Sequence, residues 1–202
     1  MKSSLVSSIT VAVSVTIGFA QQSQWLDLFG ENINIFSDKL EITDTPTQYT
    51  TVDAESFARQ FSPQTAGVKS CTNAVKRVDA NNAITLSFSR PSEGIIGGAS
   101  VTVGVLGTRE DALKTMLGRI VAKSMPPEDI AKGFTRLDSE QGELRLVETI
   151  AKREETNEVK VLYWLYGNAF AVIYVESGLE ESMEIGSQIQ ALVKKISGEQ
   201  AK

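Results

Sequence analysis

The side chains that could perform catalysis are few, and histidine is missing altogether. The chain of 202 residues has no histidine and one cysteine, Cys71. This composition excludes Ser-His-Asp and Cys-His mechanisms, His-ligated zinc or haem, and a disulfide framework. A nucleophilic thiolate needs a base or a cation beside it, and Lys69 lies two positions away on the same predicted strand face. We interpret Cys71 as a buried or inert thiol, with an intermolecular disulfide as the alternative.

Carboxylates form the second set of candidate groups. One cluster lies at the start of the last predicted helix and one in a polar turn: Glu180, Glu181 and Glu184, and Glu154, Glu155 and Glu158. Paired carboxylates could serve a glycosidase or a hard cation. However, a helix start favours negative charge in any case, and charge runs are commonly solvated. We therefore expect no metal site and no enzyme activity. Because Gly104–Thr108 lacks the lysine and the spacing of a phosphate-binding loop, we also expect no cofactor.

Aromatic residues are concentrated on two neighbouring predicted strands that are joined by the two-residue turn Gly167-Asn168. A short turn is rigid, so rings beside it lose little entropy on binding. The predicted binding residues are Trp164, Tyr166, Asn168 and Phe170. Trp164 and Tyr166 point to the same face of the strand, and we expect one of the two rings to stay partly exposed as an anchor. The alternative is that both rings belong to the core.

The composition of the chain is that of a globular protein, and its charge argues against a nucleic-acid partner. The chain is 42% hydrophobic and 22% charged, which is near the average for globular domains. With 20 Lys and Arg against 25 Asp and Glu, the formal net charge is −5, whereas nucleic-acid binding requires a basic surface. We expect no nucleic-acid partner.

Residues 1–20 have the pattern of a secretory signal peptide. Lys2 precedes a mostly apolar run over residues 5–17, and Gly18 and Ala20 are the small residues that a signal peptidase accepts. The run is short for a membrane span and contains several Ser and Thr, although an N-terminal anchor is the alternative. No later segment approaches membrane-spanning length. We expect an exported protein, periplasmic or secreted, without stable membrane insertion after cleavage.

The mature chain divides into an irregular lead-in over residues 21–50, a single α+β domain over residues 51–198, and a tail over residues 199–202. The lead-in carries a weak hairpin signal. Three helices are predicted in the domain, with N-caps at Asp53, Thr108 and Ser177, and the last helix ends at Gly198. The apolar stripes of the second and third helices are Leu113, Met116, Leu117, Ile120 and Val121, and Ile185, Ile189, Leu192, Val193 and Ile196.

The predicted strands have turn signals between them and alternate in hydrophobicity. They span residues 68–78, 83–89, 99–106, 143–152, 159–166 and 169–175. The last two strands are apolar on both faces, which predicts central positions in a sheet that is covered on both sides. Links of hairpin length require antiparallel pairing. The predicted class is α+β, a twisted and mostly antiparallel sheet with helices packed on it in an α/β/α-like sandwich.

The order of elements from residue 83 to residue 196 resembles the PsbP-like family of extrinsic photosystem subunits and their bacterial relatives. The similar features are a strand with a proline loop, Leu86–Pro91, a valine-alternating strand, Val101–Val105, a helix capped at Thr108, and a meander through Trp164–Phe170 that leads to a final helix. The resemblance implies a non-catalytic exported module that binds another protein. Because a fold does not fix function, three hypotheses stand at this point. The first is a binding module that acts through a protein–protein surface. The second is a small-molecule or lipid carrier with a pocket between sheet and helix, and the third is a carboxylate-based hydrolase.

Cleavage after Ala20 predicts that the mature protein begins at Gln21, because signal peptidases require small residues one and three positions before the cut. Intact-mass spectrometry of the exported material checks this start. Material that retains Met1 would contradict the prediction.

Overall fold

The computed structural model describes residues 28, 33–34, 41–42, 49–62, 64–65, 73–78, 84–90, 98–121, 132–140, 142–151 and 158–200. The proposed signal peptide, Lys69, Cys71 and the glutamates at positions 154 and 155 lie outside these ranges.

The described strands form a short pair and one large open sheet. The pair consists of β1 (Ile33–Asn34) and β2 (Glu41–Ile42), which are antiparallel and lie in the lead-in where a hairpin was predicted. The large sheet contains β3 (Asn73–Val78), β4 (Ile84–Arg90), β5 (Ala99–Val105), β6 (Phe134–Leu137), β7 (Glu143–Ala151), β8 (Glu158–Tyr166) and β9 (Ala169–Val175). Its order is β3-β4-β5-β9-β8-β7-β6, and every neighbouring pair is antiparallel.

Two sheet positions that were predicted from sequence are confirmed. β9 is the middle strand of the seven and β8 is its neighbour. Side chains of β8 alternate between the two faces: Leu162 and Trp164 enter one apolar core, whereas Tyr163 and Leu165 enter the other. A strand with apolar residues on both faces is stable only where material covers both faces, which is why β8 and β9 are internal.

Within the described ranges, three helices cover the sheet and make the protein α+β: α1 (Ala54–Gln60), α2 (Arg109–Val121) and α3 (Leu179–Gln200). The Asp53 carboxylate accepts a hydrogen bond from the Ser56 N–H at 2.7 Å and caps α1. This bond holds the pKa of Asp53 below its ordinary value. The Thr108 hydroxyl oxygen accepts from the Asp111 N–H at 3.1 Å and caps α2. Both caps were predicted from sequence and satisfy N–H groups that the helix itself leaves free.

The helices lie on opposite faces of the sheet and produce two apolar cores. α1 and α3 cover one face, where their side chains pack on β4, β5, β8 and β9; this is the α3-side core. α2 covers the other face over β8 and β9; this is the α2-side core. The fully buried residues of the two helix stripes are Ile185, Ile189 and Val193 on α3, and Leu113, Met116, Leu117 and Ile120 on α2.

The ends of α2 and α3 differ from the predictions. Val121 is 41% exposed, because it follows Ile120 by one residue and is therefore turned about 100° from the buried stripe. Gly178, with φ at +117°, directly precedes α3, and the Ser177 hydroxyl donates to Glu181 instead of capping with Glu180. α3 also continues past Gly198 to Gln200.

One strand of the sheet was not predicted. β6 has only four residues, and it pairs with β7 from Phe134 opposite Glu148 to Leu137 opposite Arg145. So short an edge strand carries too little alternation to be recognised. Phe134 nevertheless enters the α2-side core, where its ring lies 5.5 Å from that of Tyr163.

Ile189 provides a test of how α3 is docked. Its side chain is fully buried in the α3-side core, so Ile189→Ala should lower the free energy of unfolding by about 2–5 kcal/mol. Urea denaturation measures the change. Ser187→Ala on the exposed side of the same helix is the control and should stay within about 0.5 kcal/mol. A similarly small effect at position 189 would contradict the docking of α3.

Candidate functional site

Asn168, predicted as a binding residue, is buried and bonded to the protein itself. Its side-chain Oδ1 accepts from the Val52 N–H at 2.8 Å, and its Nδ2 donates to the carbonyls of Val52 at 3.0 Å and Leu106 at 2.6 Å. The Asn168 carbonyl in turn accepts from the Leu106 N–H at 3.1 Å. The turn between β8 and β9 is thereby tied both to the loop before α2 and to residues 49–53, which we call the strap.

The strap lies directly over the turn. A Cβ atom on Gly167 would lie 1.9 Å from the Thr50 carbonyl oxygen, and Gly167 has φ at +57°. The Ser197 hydroxyl donates to the Thr51 carbonyl at 3.2 Å and joins the strap to α3. The strap therefore covers the end of the hairpin.

The expectation that Trp164 or Tyr166 stays partly exposed is wrong. Trp164 is 0% and Tyr166 9% exposed, and their rings stack with centroids 6.0 Å apart in the α3-side core. The Trp164 indole N–H donates to Glu143 at 2.6 Å. Lys194 lies over the Tyr166 ring at 5.7 Å from its centroid. Because α3 and the strap cover this end of the sheet, both rings are part of the core, which was the stated alternative.

Phe170 lies on the opposite face of the sheet from Trp164 and Tyr166. Its ring occupies the space above Gly104, where an added Cβ would lie 2.2 Å from a ring carbon. The Arg119 guanidinium carbon lies 5.5 Å from the centroid of the same ring. The four predicted binding residues therefore do not form one surface.

The two buried glutamates are also separated by the sheet. Glu143 accepts hydrogen bonds from Trp164 and from Arg145, the latter at 2.7 Å, on the α3 side. Glu148 accepts from the Tyr163 hydroxyl at 2.9 Å on the α2 side. Burial and the neighbouring Glu148 carboxylate raise the pKa of Tyr163, so that its phenol remains a donor. Five positions apart on β7, the two carboxylates cannot act together on one substrate.

The predicted glutamate cluster lies at the start of α3. Glu180 and Glu184 are exposed, whereas Glu181 accepts from Ser177. In the ranges that the structure describes, no three His, Cys, Asp or Glu side chains come together as metal ligands do. The helix dipole accounts for the position of these glutamates.

The strand register identifies a different surface, on the half of the sheet formed by β3, β4 and β5. α2 packs over β8 and β9, so the β3–β5 half of that face carries no helix in the described part of the chain. On this half, Ser87 lies opposite Thr102, which lies opposite Val172, and Ser89, Ser100 and Tyr174 form the next row. We call this surface the open face; its described side chains are Arg77, Thr85, Ser87, Ser89, Ser100, Thr102, Val172 and Tyr174.

The open face combines an aromatic side chain with hydroxyl groups. Arg77 and Ser100 are exposed, whereas Thr85, Ser87, Thr102 and Tyr174 are half-buried. The polar residues Thr85, Ser87 and Ser89 alternate with apolar ones along β4, a pattern that is typical of a strand with one solvated face. Their pairing with Ser100 and Thr102 was not foreseen, because it depends on the register of β4 and β5.

No protein-family model matches the chain, and no significant match was found among curated proteins or solved structures. Of the helices that are described, none has the length and apolarity that a membrane crossing needs.

The contact between strap and turn can be tested at Gly167. Gly167→Ala places a methyl group against the Thr50 carbonyl at a positive φ, and should lower the free energy of unfolding by about 2–4 kcal/mol. The same substitution at Gly118, which has open space around it inside α2, should instead stabilise by about 0.5–1 kcal/mol. Chemical denaturation of both variants checks the pair. Equal effects at the two positions would contradict the close approach of the strap.

Proposed function

We propose that the protein is an exported, non-enzymatic binding module that binds another protein through the open face. One observation carries this proposal. Tyr174 on the central strand β9 remains half-buried and lies beside the serine and threonine side chains of the open face. The other aromatic residues of β8 and β9 are buried. A tyrosine on a rigid strand offers a large contact area and a polar hydroxyl at low entropic cost, as interface anchors do.

Features of the sequence and of the buried carboxylates support a non-enzymatic role. The chain has no histidine for acid–base work. Glu143 and Glu148 lie on opposite faces of β7, and each accepts hydrogen bonds from neighbouring side chains. A hydrolase of the two-carboxylate type needs both groups in one cleft, about 5–9.5 Å apart.

Core packing favours surface binding over the carrier hypothesis. A carrier needs a cavity between sheet and helix that is large enough for its ligand. On the α3 side, the space is occupied by Trp164, Ile185, Ile189 and Val193, all fully buried in one apolar cluster. The signal-peptide pattern and the resemblance to PsbP-like modules support the same proposal of an exported protein-binding domain.

Two substitutions on the open face test the proposal. Tyr174→Ala removes the anchor, and Ser100→Gln adds a longer, uncharged side chain opposite Tyr174 without removing a core group. Both should abolish capture of the partner from the exported fraction of the native host, with the partner identified by mass spectrometry. The Ser100 variant should keep its stability within about 0.5 kcal/mol, because Ser100 is exposed.

Ser187→Gln, on the exposed side of α3, is the matched control and should capture the same partner as the unmodified protein. A purified partner then allows calorimetric titration of each variant. If both open-face variants fold and bind that partner with unchanged affinity, the open face is not the binding surface.

A further inference from the structure

The open face is bordered by two arginines in a protein of net negative charge. The formal net charge is −5, yet Arg77 on β3 lies directly opposite Thr85 and is exposed on this face. Arg119 on α2 is also exposed and lies over the Phe170 ring, which itself covers Gly104 of β5. The row from Arg77 through Thr85 to Gly104 therefore has the Arg77 guanidinium at its β3 end and the Arg119 guanidinium at its β9 end.

The described carboxylates near this face already have protein partners. Glu148 is buried and accepts from the Tyr163 hydroxyl. Glu176, just beyond β9, accepts from the Gly98 N–H at 3.1 Å. On α2, Glu110 pairs with Lys114, and Asp111 accepts from the Thr108 hydroxyl. The described open face and its border thus present hydroxyl groups, a phenol, the side chain of Val172 and two guanidinium groups.

We infer that the partner presents an acidic segment of polypeptide to the open face. This inference rests on the proposed function and names the chemistry of the partner. Guanidinium groups bind carboxylates through two parallel hydrogen bonds, and serine and threonine hydroxyls donate to the remaining carboxylate oxygens. Tyr174 supplies the apolar contact between them. Charge complementarity of this kind gives specificity and speeds association.

Neighbouring residues of β3 provide a matched test. Arg77 and Lys76 are adjacent, both cationic and both exposed, but they point to opposite faces: Lys76 pairs with Glu55 at 3.0 Å on the α1 side. Arg77→Gln and Lys76→Gln therefore change the net charge equally and differ in the face that they alter. The probe is fluorescein-labelled poly-L-glutamate, with binding followed by anisotropy at low ionic strength.

The unmodified protein should bind poly-L-glutamate, with an affinity that falls as salt is added. Arg77→Gln should weaken binding by about five-fold, since an exposed ion pair contributes up to about 1 kcal/mol. Arg119→Gln should have an effect of similar size, and circular dichroism checks that this variant is folded. Lys76→Gln should bind as the unmodified protein does.

Three outcomes would overturn the inference. The first is equal weakening by the Lys76 and Arg77 variants. The second is no binding of poly-L-glutamate by the unmodified protein. The third is tighter binding of dextran sulfate or of phosphatidylglycerol vesicles than of poly-L-glutamate, which would indicate a polysaccharide or a lipid surface as the anion. Each of these results leaves the proposed function standing if the Tyr174 and Ser100 variants still lose the captured partner. Failure of that capture test alone would overturn the proposed function.

Discussion

The side-chain amide of Asn168 holds together three segments that are distant in the chain. Its oxygen and nitrogen bond to both backbone polar groups of Val52 and to the carbonyl of Leu106. The strap, the turn of the central hairpin and the entrance to α2 therefore meet at one residue. A buried amide is stable only when its hydrogen-bonding groups are satisfied, and an unmade bond there costs more than a made bond contributes. The hydrogen bonds to Asn168 therefore determine where the strap lies, and the strap covers the end of the sheet.

The large sheet separates two cores that share their strands. Residues of β8 alternate between the α3 side and the α2 side, so each face depends on the register of the same hairpin. Gly104 and Phe170 show how close the fit is, because the ring fills the space that a side chain at position 104 would need. Packing at this density makes the central strands sensitive to changes of a single methyl group. The β3–β5 half of the α2 face has no such layer over it in the described ranges.

Much of the fold could be predicted from local patterns. The caps at Asp53 and Thr108, the stripe of α3 and the central positions of β8 and β9 all follow from spacing and alternation within a few residues. The burial of Trp164 and Tyr166 could not be predicted from local spacing in the same way. It depends on the strap and on α3, which contact this part of the sheet from distant parts of the chain. The open face was missed for a related reason: its rows require the pairing of β4 with β5 and of β5 with β9. Short-range patterns contain no information on such pairings.

The strap also constrains the order of events during folding. Val52 and Asn168 are separated by 116 positions, and the strap leaves the ribosome long before its partner does. The Asn168 side chain can bond to the strap only after the β8–β9 hairpin has formed and the loop before α2 has come into contact with Asn168. Contacts of such long sequence separation slow folding, because the entropy of closing the loop is lost before the contact is gained. A chain that ends before Asn168 therefore cannot hold the strap in its native place. The native arrangement is reached only after synthesis has passed β9.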